Sequence, residues 1–435
     1  MNHSKTIERK IKMKIKRFLQ LGLASVLSVS SLLVLNIPAA FAAGPYTCTW
    51  TGAGSDGNFS TAANWSGCNS AAPVAGDDDQ LVFPATSSNY TPDNDLSSAH
   101  FSGITIQSGS SPGYMIIGNG FILNGNIADN STSTYQELDL NIAVQASTSV
   151  SISSNAGSRI IIGDQTALNN AQLILNNAST LALTDTTVGA LVAGPSNSTI
   201  NVSGTSVRLL GSGSSFTGSF GGGASHFYVD SSSFNGATAN ITSGNLAGTG
   251  HIGSTTIGSS ASIAPGDTPG AGCLTTNALT VSGAFDTTLT GSTACSGYGQ
   301  VTSASGAINL TGATLNVSLA NGFTSTVGQT FTIIKNTAGS PITGTFSGLA
   351  EGSTFTAGGY TFQISYQGSD PNSVVLTVVN PSSGSGSTTS TKTAPKSPNT
   401  GLTLVAAHPL ASLAATTAAA FTILVIARRL KPVKR

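Results

Sequence analysis

The sequence predicts an all-β fold, a right-handed parallel β-solenoid, and three observations lead there. Short apolar strands recur through the middle of the chain, each closed by Gly, Asn, Asp or Ser. Inside them apolar and polar residues alternate with period two, and amphipathic helical periodicity is almost absent. The composition agrees, because 51 glycines and only 8% charged residues suit a long array of short strands better than a helical globule.

The strands follow in order as Gly103-Ile104-Thr105-Ile106, Phe121-Ile122-Leu123, Leu138-Asp139-Leu140, Val150-Ser151-Ile152, Ile160-Ile161-Ile162, Leu173-Ile174-Leu175, Leu181-Ala182-Leu183 and Ile200-Asn201-Val202. None is long enough to bury a core by itself, whereas successive coils of a solenoid cover one another. A set of β-sandwich domains is compatible with the same alternation. The short strands and small Asn-rich turns favour the solenoid. The expected organisation is a signal peptide at 1–42, an N-terminal cap at 43–100, the solenoid at 101–270, a C-terminal β segment at 271–380, a Ser/Thr/Gly/Pro spacer at 381–396 and a tail at 397–435.

Both ends read as addresses. Seven Lys/Arg lie between Lys5 and Arg17, an apolar core runs over 18–37, and Ala40-Phe41-Ala42 has the small-x-small form of a signal-peptidase site. At the other end Ser397-Pro398-Asn399-Thr400-Gly401 precedes the apolar run 402–427 and a basic terminus with Arg428, Arg429, Lys431, Lys434 and Arg435. As a helix that run rises about 39 Å, enough to cross roughly 30 Å of hydrocarbon with tilt. The basic cluster keeps the terminus cytoplasmic and everything before the run outside. The tail resembles the Leu-Pro-x-Thr-Gly cell-wall sorting signal of Gram-positive-type surface proteins. That resemblance implies sortase attack on the Thr400 carbonyl, with Pro398, Thr400 and Gly401 at the family positions and Ser397 in place of Leu. A plain C-terminal transmembrane helix is the other reading.

Trp50-Thr51-Gly52, Gly57-Asn58-Phe59, Asn64-Trp65 and Pro73-Val74-Ala75-Gly76-Asp77-Asp78 look like the start of secreted parallel β-helix proteins. Farther on, Leu246-Ala247-Gly248-Thr249-Gly250-His251 and Ile263-Ala264-Pro265-Gly266 are similar to the late passenger region of autotransporter-type adhesins. The resemblance covers roughly residues 48–380. It implies a role in adhesion or envelope structure, with a glycan or a host or neighbouring-cell surface as ligand; a β-helix polysaccharide lyase or glycosidase is the alternative. The outer-membrane barrel of autotransporters has no counterpart in this sequence.

Charge narrows the partners. Between 43 and 401 stand five basic residues, Arg159, Arg208, Lys335, Lys392 and Lys396, against 16 acids, a net of −11. Nucleic acid and anionic lipid are poor partners for such a surface. The cysteines form two local pairs, Cys48 with Cys68 and Cys273 with Cys295, and an exported context favours two small-loop disulfides, although four cysteines allow three connectivities.

No enzyme, cofactor or metal is expected. Gly109-Ser110-Ser111-Pro112-Gly113 fits a nucleophile elbow, but Pro112 lacks the N–H an oxyanion hole needs. Gly248-Thr249-Gly250-His251-Ile252-Gly253 fits a dinucleotide fingerprint without the helix that must follow it. Asp77-Asp78-Asp79 and Asp93-Asn94-Asp95 hold carboxylates two apart, about 7 Å on one strand face, within the broad range of glycosidase pairs or calcium ligands. Both are expected to cap solvent-exposed loops. His100, His226 and His251 are isolated, and Arg159, Arg208 and Lys335 are widely separated.

Overall fold

Parallel strands cannot be joined by a tight turn, and here, except near the two ends, a strand finds its hydrogen-bonding partner one coil later. The computed structural model describes residues 45–381 apart from 70, 110–111, 133–134, 156–157, 165–167, 169, 231–232, 268–270, 321 and 369–371, all within the unit Met1–Ser383. The expected signal peptide, nearly all of the spacer, and the tail with Pro398, Thr400 and Gly401 lie outside the described residues. Among the described residues no helix is long and apolar enough to cross a membrane, and the helical content is a single 3-10 turn, Ala62–Asn64.

One coil shows the plan. Gln172–Leu175, Thr180–Thr184 and Thr186–Val188 form three faces, which we call first, second and third. The next coil repeats them as Leu191–Gly194, Thr199–Ser203 and Ser206–Leu209. Each strand pairs in parallel with its successor on the same face, as Leu173 with Val192, Leu181 with Ile200, and Val188 with Leu209. The chain is a parallel β-solenoid.

Register follows from the alternation, because a one-residue slip turns an entire apolar set to solvent. On the second face the inward positions stack as Val150, Leu181, Ile200, Phe220 and Ala239. The outward positions beside them stack as Ser151, Ala182, Asn201, Gly221, Asn240, Thr256, Thr280, Asn309 and Thr343. The third face stacks Ile116, Leu138, Ile162, Val188, Leu209 and Val229 inward. These side chains are almost wholly buried, and each full burial of a Val, Leu or Ile is worth about 1.5–3 kcal/mol. Where Phe220 takes more room, its ring meets Phe216, Phe227 and Phe234 with centroids 5.1, 5.6 and 5.2 Å away, and Ala239 follows it on the ladder.

Parallel pairing extends past 101–270 at both ends, from Thr47–Trp50 on Asp79–Phe83 to Ile308–Asn309 on Ile342–Thr343. The N-terminal end is closed by an aromatic knot. Trp50 and Trp65 meet edge to face at 5.0 Å, Phe59 and Trp65 at 5.1 Å. The indole N–H groups of Trp50 and Trp65 donate to the Asn89 and Phe59 carbonyls. At the other end the pairing turns antiparallel through Thr330–Asn336, Val374–Pro381, Tyr360–Ser365 and Thr354–Ala357. Disulfides join Cys48 to Cys68 and Cys273 to Cys295, the pairing that sequence proximity favoured.

Two outcomes check this account. Phe220→Ala is expected to destabilise the fold by about 3–5 kcal/mol through cavity formation, read as a lower midpoint in urea. Replacing both cysteines of either pair by Ser should cost about 3 kcal/mol, because the closed loops span 20 and 22 residues; a cost near zero would contradict the chain-entropy argument.

Candidate functional site

Coil stacking builds one feature absent from any single strand. On the third face His226, Asn245, Ser262, Ala284 and Thr314 stand in register on five successive coils. Together with the corner residues before them they line an open groove of about 890 Å³. Neighbouring coils are about 4.8 Å apart, so the five span about 19 Å along the stack. The groove is concave because the corner between second and third faces has little room for side chains. A Cβ on Gly244, whose φ is +71°, would lie 1.8 Å from the Ala224 carbonyl oxygen, and one on Gly283 would lie 2.0 Å from that of Ala261. Side chains are thus kept off the floor at these two coils, Ala261 fills the corner of the coil between them, and Ser225, Ser259, Ser260 and Ser282 edge the groove.

Among the described residues the lining carries hydroxyls, an amide and an imidazole, and no Asp, Glu, Lys or Arg. Asn245 donates through Nδ2 to the Ser262 hydroxyl at 2.7 Å, leaving its Oδ1 buried without a partner. On the preceding coil Nδ1 of His226 is likewise buried and unpartnered. The His226 ring lies stacked on Tyr228 at 5.8 Å between centroids, with the Arg208 guanidinium 4.3 Å from the centre of the Tyr228 ring. Such a lining can exchange neutral hydrogen bonds; it offers no charge to a reacting centre.

Charge is gathered just beside it. Arg208 pairs with Asp230 at 3.0 Å through Nη1 and with Asp267 at 2.5 Å through Nη2. The Asp230 contact is an ion pair without hydrogen-bond alignment. Burial pushes the Asp230 pKa above the usual carboxylate range, Arg208 pulls it down, and Asp267 pushes it up again. The arrangement ties the segment carrying Asp267 to the coil of Arg208. It is a structural clamp, since the guanidinium is already occupied by two carboxylates.

The acidic clusters are solvent-exposed caps only in part: Asp95 is exposed and Asp77 and Asp78 are half-buried in a loop, whereas Asp79 and Asn94 are not. Asp79 is buried and accepts from the backbone N–H groups of Tyr46 and Val74, with burial raising its pKa. Asp78 accepts from the Asn124 amide and lies 4.0 Å from His100. Asn94 is also buried and donates to the Asn119 carbonyl, while exposed Asp95 accepts from the backbone N–H and hydroxyl of Ser60. These groups fasten the first coils to one another. Among the described residues no three His, Cys, Asp or Glu side chains come together as a metal-binding group. A second buried carboxylate, Asp129, accepts from Ser154, Ser158 and the N–H of Ser131; sequence alternation carried no signal for it.

The remaining candidates stay apart. Arg159 precedes Ile160–Ile162, Arg208 lies two coils on, and Lys335 belongs to the first face, opposite Thr302. His251 hydrogen-bonds through Nε2 to Asn277 at 3.1 Å. The segment after Gly248-Thr249-Gly250 is the strand His251–Pro265, not a helix, so the dinucleotide fingerprint has no N-terminus to aim at a phosphate. Ser110 and Ser111 lie outside the described residues. No protein-family profile matches the chain, and no curated protein sequence matches it.

The clamp has a pH signature. With its pKa raised in the folded state, the charged Asp230 carboxylate costs stability above that raised value, and the cost vanishes below the unfolded value of about 3.9. Arg208 offsets the cost. Arg208→Gln should therefore destabilise by about 2 kcal/mol at neutral pH. The gap to the unmutated protein should close as pH falls through the carboxylate range, measured by denaturation midpoints. A gap independent of pH would remove Asp230 from the explanation.

Proposed function

We propose that this chain is an exported protein held at the cell surface through residues 397–435, acting in adhesion or as an envelope component by displaying the faces of its solenoid. The observation that carries this reading is the outward ladder from Ser151 to Thr343, a neutral Ser/Thr/Asn-rich surface over an apolar interior. It is a surface for contact rather than for chemistry. Two disulfides support an oxidising, extracellular compartment. The right-handed winding belongs to the same reading, because right-handed crossovers dominate between parallel strands. The signal peptide at 1–42, the spacer and the basic-ended apolar run supply export and anchoring, with Thr400-Gly401 as the bond a sortase would cut.

Deleting residues 402–435 is expected to release a folded, disulfide-bonded protein into the medium. Thr400→Ala separates the two anchoring routes. Under sorting, the variant keeps its basic tail and becomes extractable by detergent; under a plain transmembrane anchor nothing changes. Protein retained inside the cell, with free thiols, would defeat the proposal as a whole.

A further inference from the structure

The groove on the third face also points to a class of ligand. A charged ligand buried there would lack a counter-charge, because among the described residues no ionised side chain lines the site. An apolar ligand would meet hydroxyls and amides instead of the apolar walls that usually enclose one. What the lining matches is a ligand dense in hydroxyl groups, since each Ser hydroxyl both donates and accepts.

Two unpartnered atoms sharpen the match. His226 Nδ1 and Asn245 Oδ1 occupy neighbouring rungs of the same ladder, and an unmet buried polar atom is unfavourable. Both side chains are half-buried at the groove wall, and a turn about χ2 is the movement that would offer them to a ligand hydroxyl; for Asn245 it exchanges the bond to Ser262. Geometry sets the ligand's form. In-register stacking runs the groove along the stack, and its rungs recur about every 4.8 Å, close to the advance of an extended pyranose chain. Five rungs thus accommodate about four linked sugars.

We propose that the groove running from His226 to Thr314 is a binding site for a neutral, linear oligosaccharide of about four pyranoses, laid along the stack with roughly one sugar per coil. The inference rests on the reading of a displayed solenoid, for which it supplies the ligand. No bond is made or broken; the site holds the chain by hydroxyl, amide and imidazole contacts.

The test uses the full chain in detergent, titrated with cellotetraose, maltotetraose, mannotetraose and the tetramer of N-acetylglucosamine, with tetragalacturonate as the charged control. At least one neutral tetrasaccharide should bind, its disaccharide should bind at least about tenfold more weakly, and tetragalacturonate should not bind. Ser260 and Ser282 are exposed on the groove edge, so the double variant Ser260→Leu/Ser282→Leu should fold with an unchanged melting temperature and lose at least about tenfold in affinity. His226→Phe keeps a ring over Tyr228 and removes the nitrogen, and should cost about fivefold, the equivalent of one neutral hydrogen bond. Binding that ignores the double Leu variant overturns the groove assignment. Adhesion of the chain to cells or to charged glycans, without binding of any neutral tetrasaccharide, leaves the surface-display reading standing and sinks this one. No binding in any arm overturns the groove assignment and leaves the surface-display reading to the localisation test.

Discussion

Everything in this chain depends on successive coils forming parallel hydrogen bonds in register. A β-strand of three to five residues has too little apolar surface to fold alone. Stacked in register, its inward side chains sit directly over equivalents from adjacent coils, as Leu138, Ile162, Val188 and Leu209 do. Hydrogen bonding along the stack and apolar burial across it are therefore satisfied by one arrangement. The ends are where that arrangement stops, and each is closed differently. Edge-to-face indoles and a disulfide cover the first coil, while antiparallel strands on Thr330–Asn336 finish the last.

The same register makes the groove. At the corner between second and third faces, adjacent coils approach so closely that Gly244 and Gly283 have no room for a Cβ. A concave strip of Gly, Ala and Ser results, bounded by polar residues that the ladder repeats. Packing demands at the corner and a hydroxyl-rich groove are thus two consequences of one backbone constraint. Charge is handled separately: the few carboxylates that become buried, Asp79, Asp129 and Asp230, each find backbone, hydroxyl or guanidinium partners, as an interior of low dielectric requires.

Much of the fold was legible because alternation and turn residues are local signals. The expected strands around Leu181-Ala182-Leu183 and Ile200-Asn201-Val202 correspond to Thr180–Thr184 and Thr199–Ser203. Proximity along the chain likewise favoured the cysteine pairing that the structure has. The groove was not legible, because coil length varies. His226, Asn245, Ser262, Ala284 and Thr314 are separated by 19, 17, 22 and 30 residues, so no fixed period marks them as neighbours. Asp79 was misjudged for a related reason. Its burial depends on Tyr46 and Val74, whose N–H groups reach it only once the first coil closes.

By itself the sequence determined the all-β character, the short-strand architecture and the near-absence of charge in the middle of the chain, because each is written in residue type and period-two spacing. Only the tertiary structure decided which coil covers which, where parallel pairing begins and ends, and which polar atoms are left without partners. Those outcomes depend on register between segments 16 to 34 residues apart, as between Ile241 and Ile257 or Ile308 and Ile342. Register is set by the collective fit of all three faces, which no local pattern records.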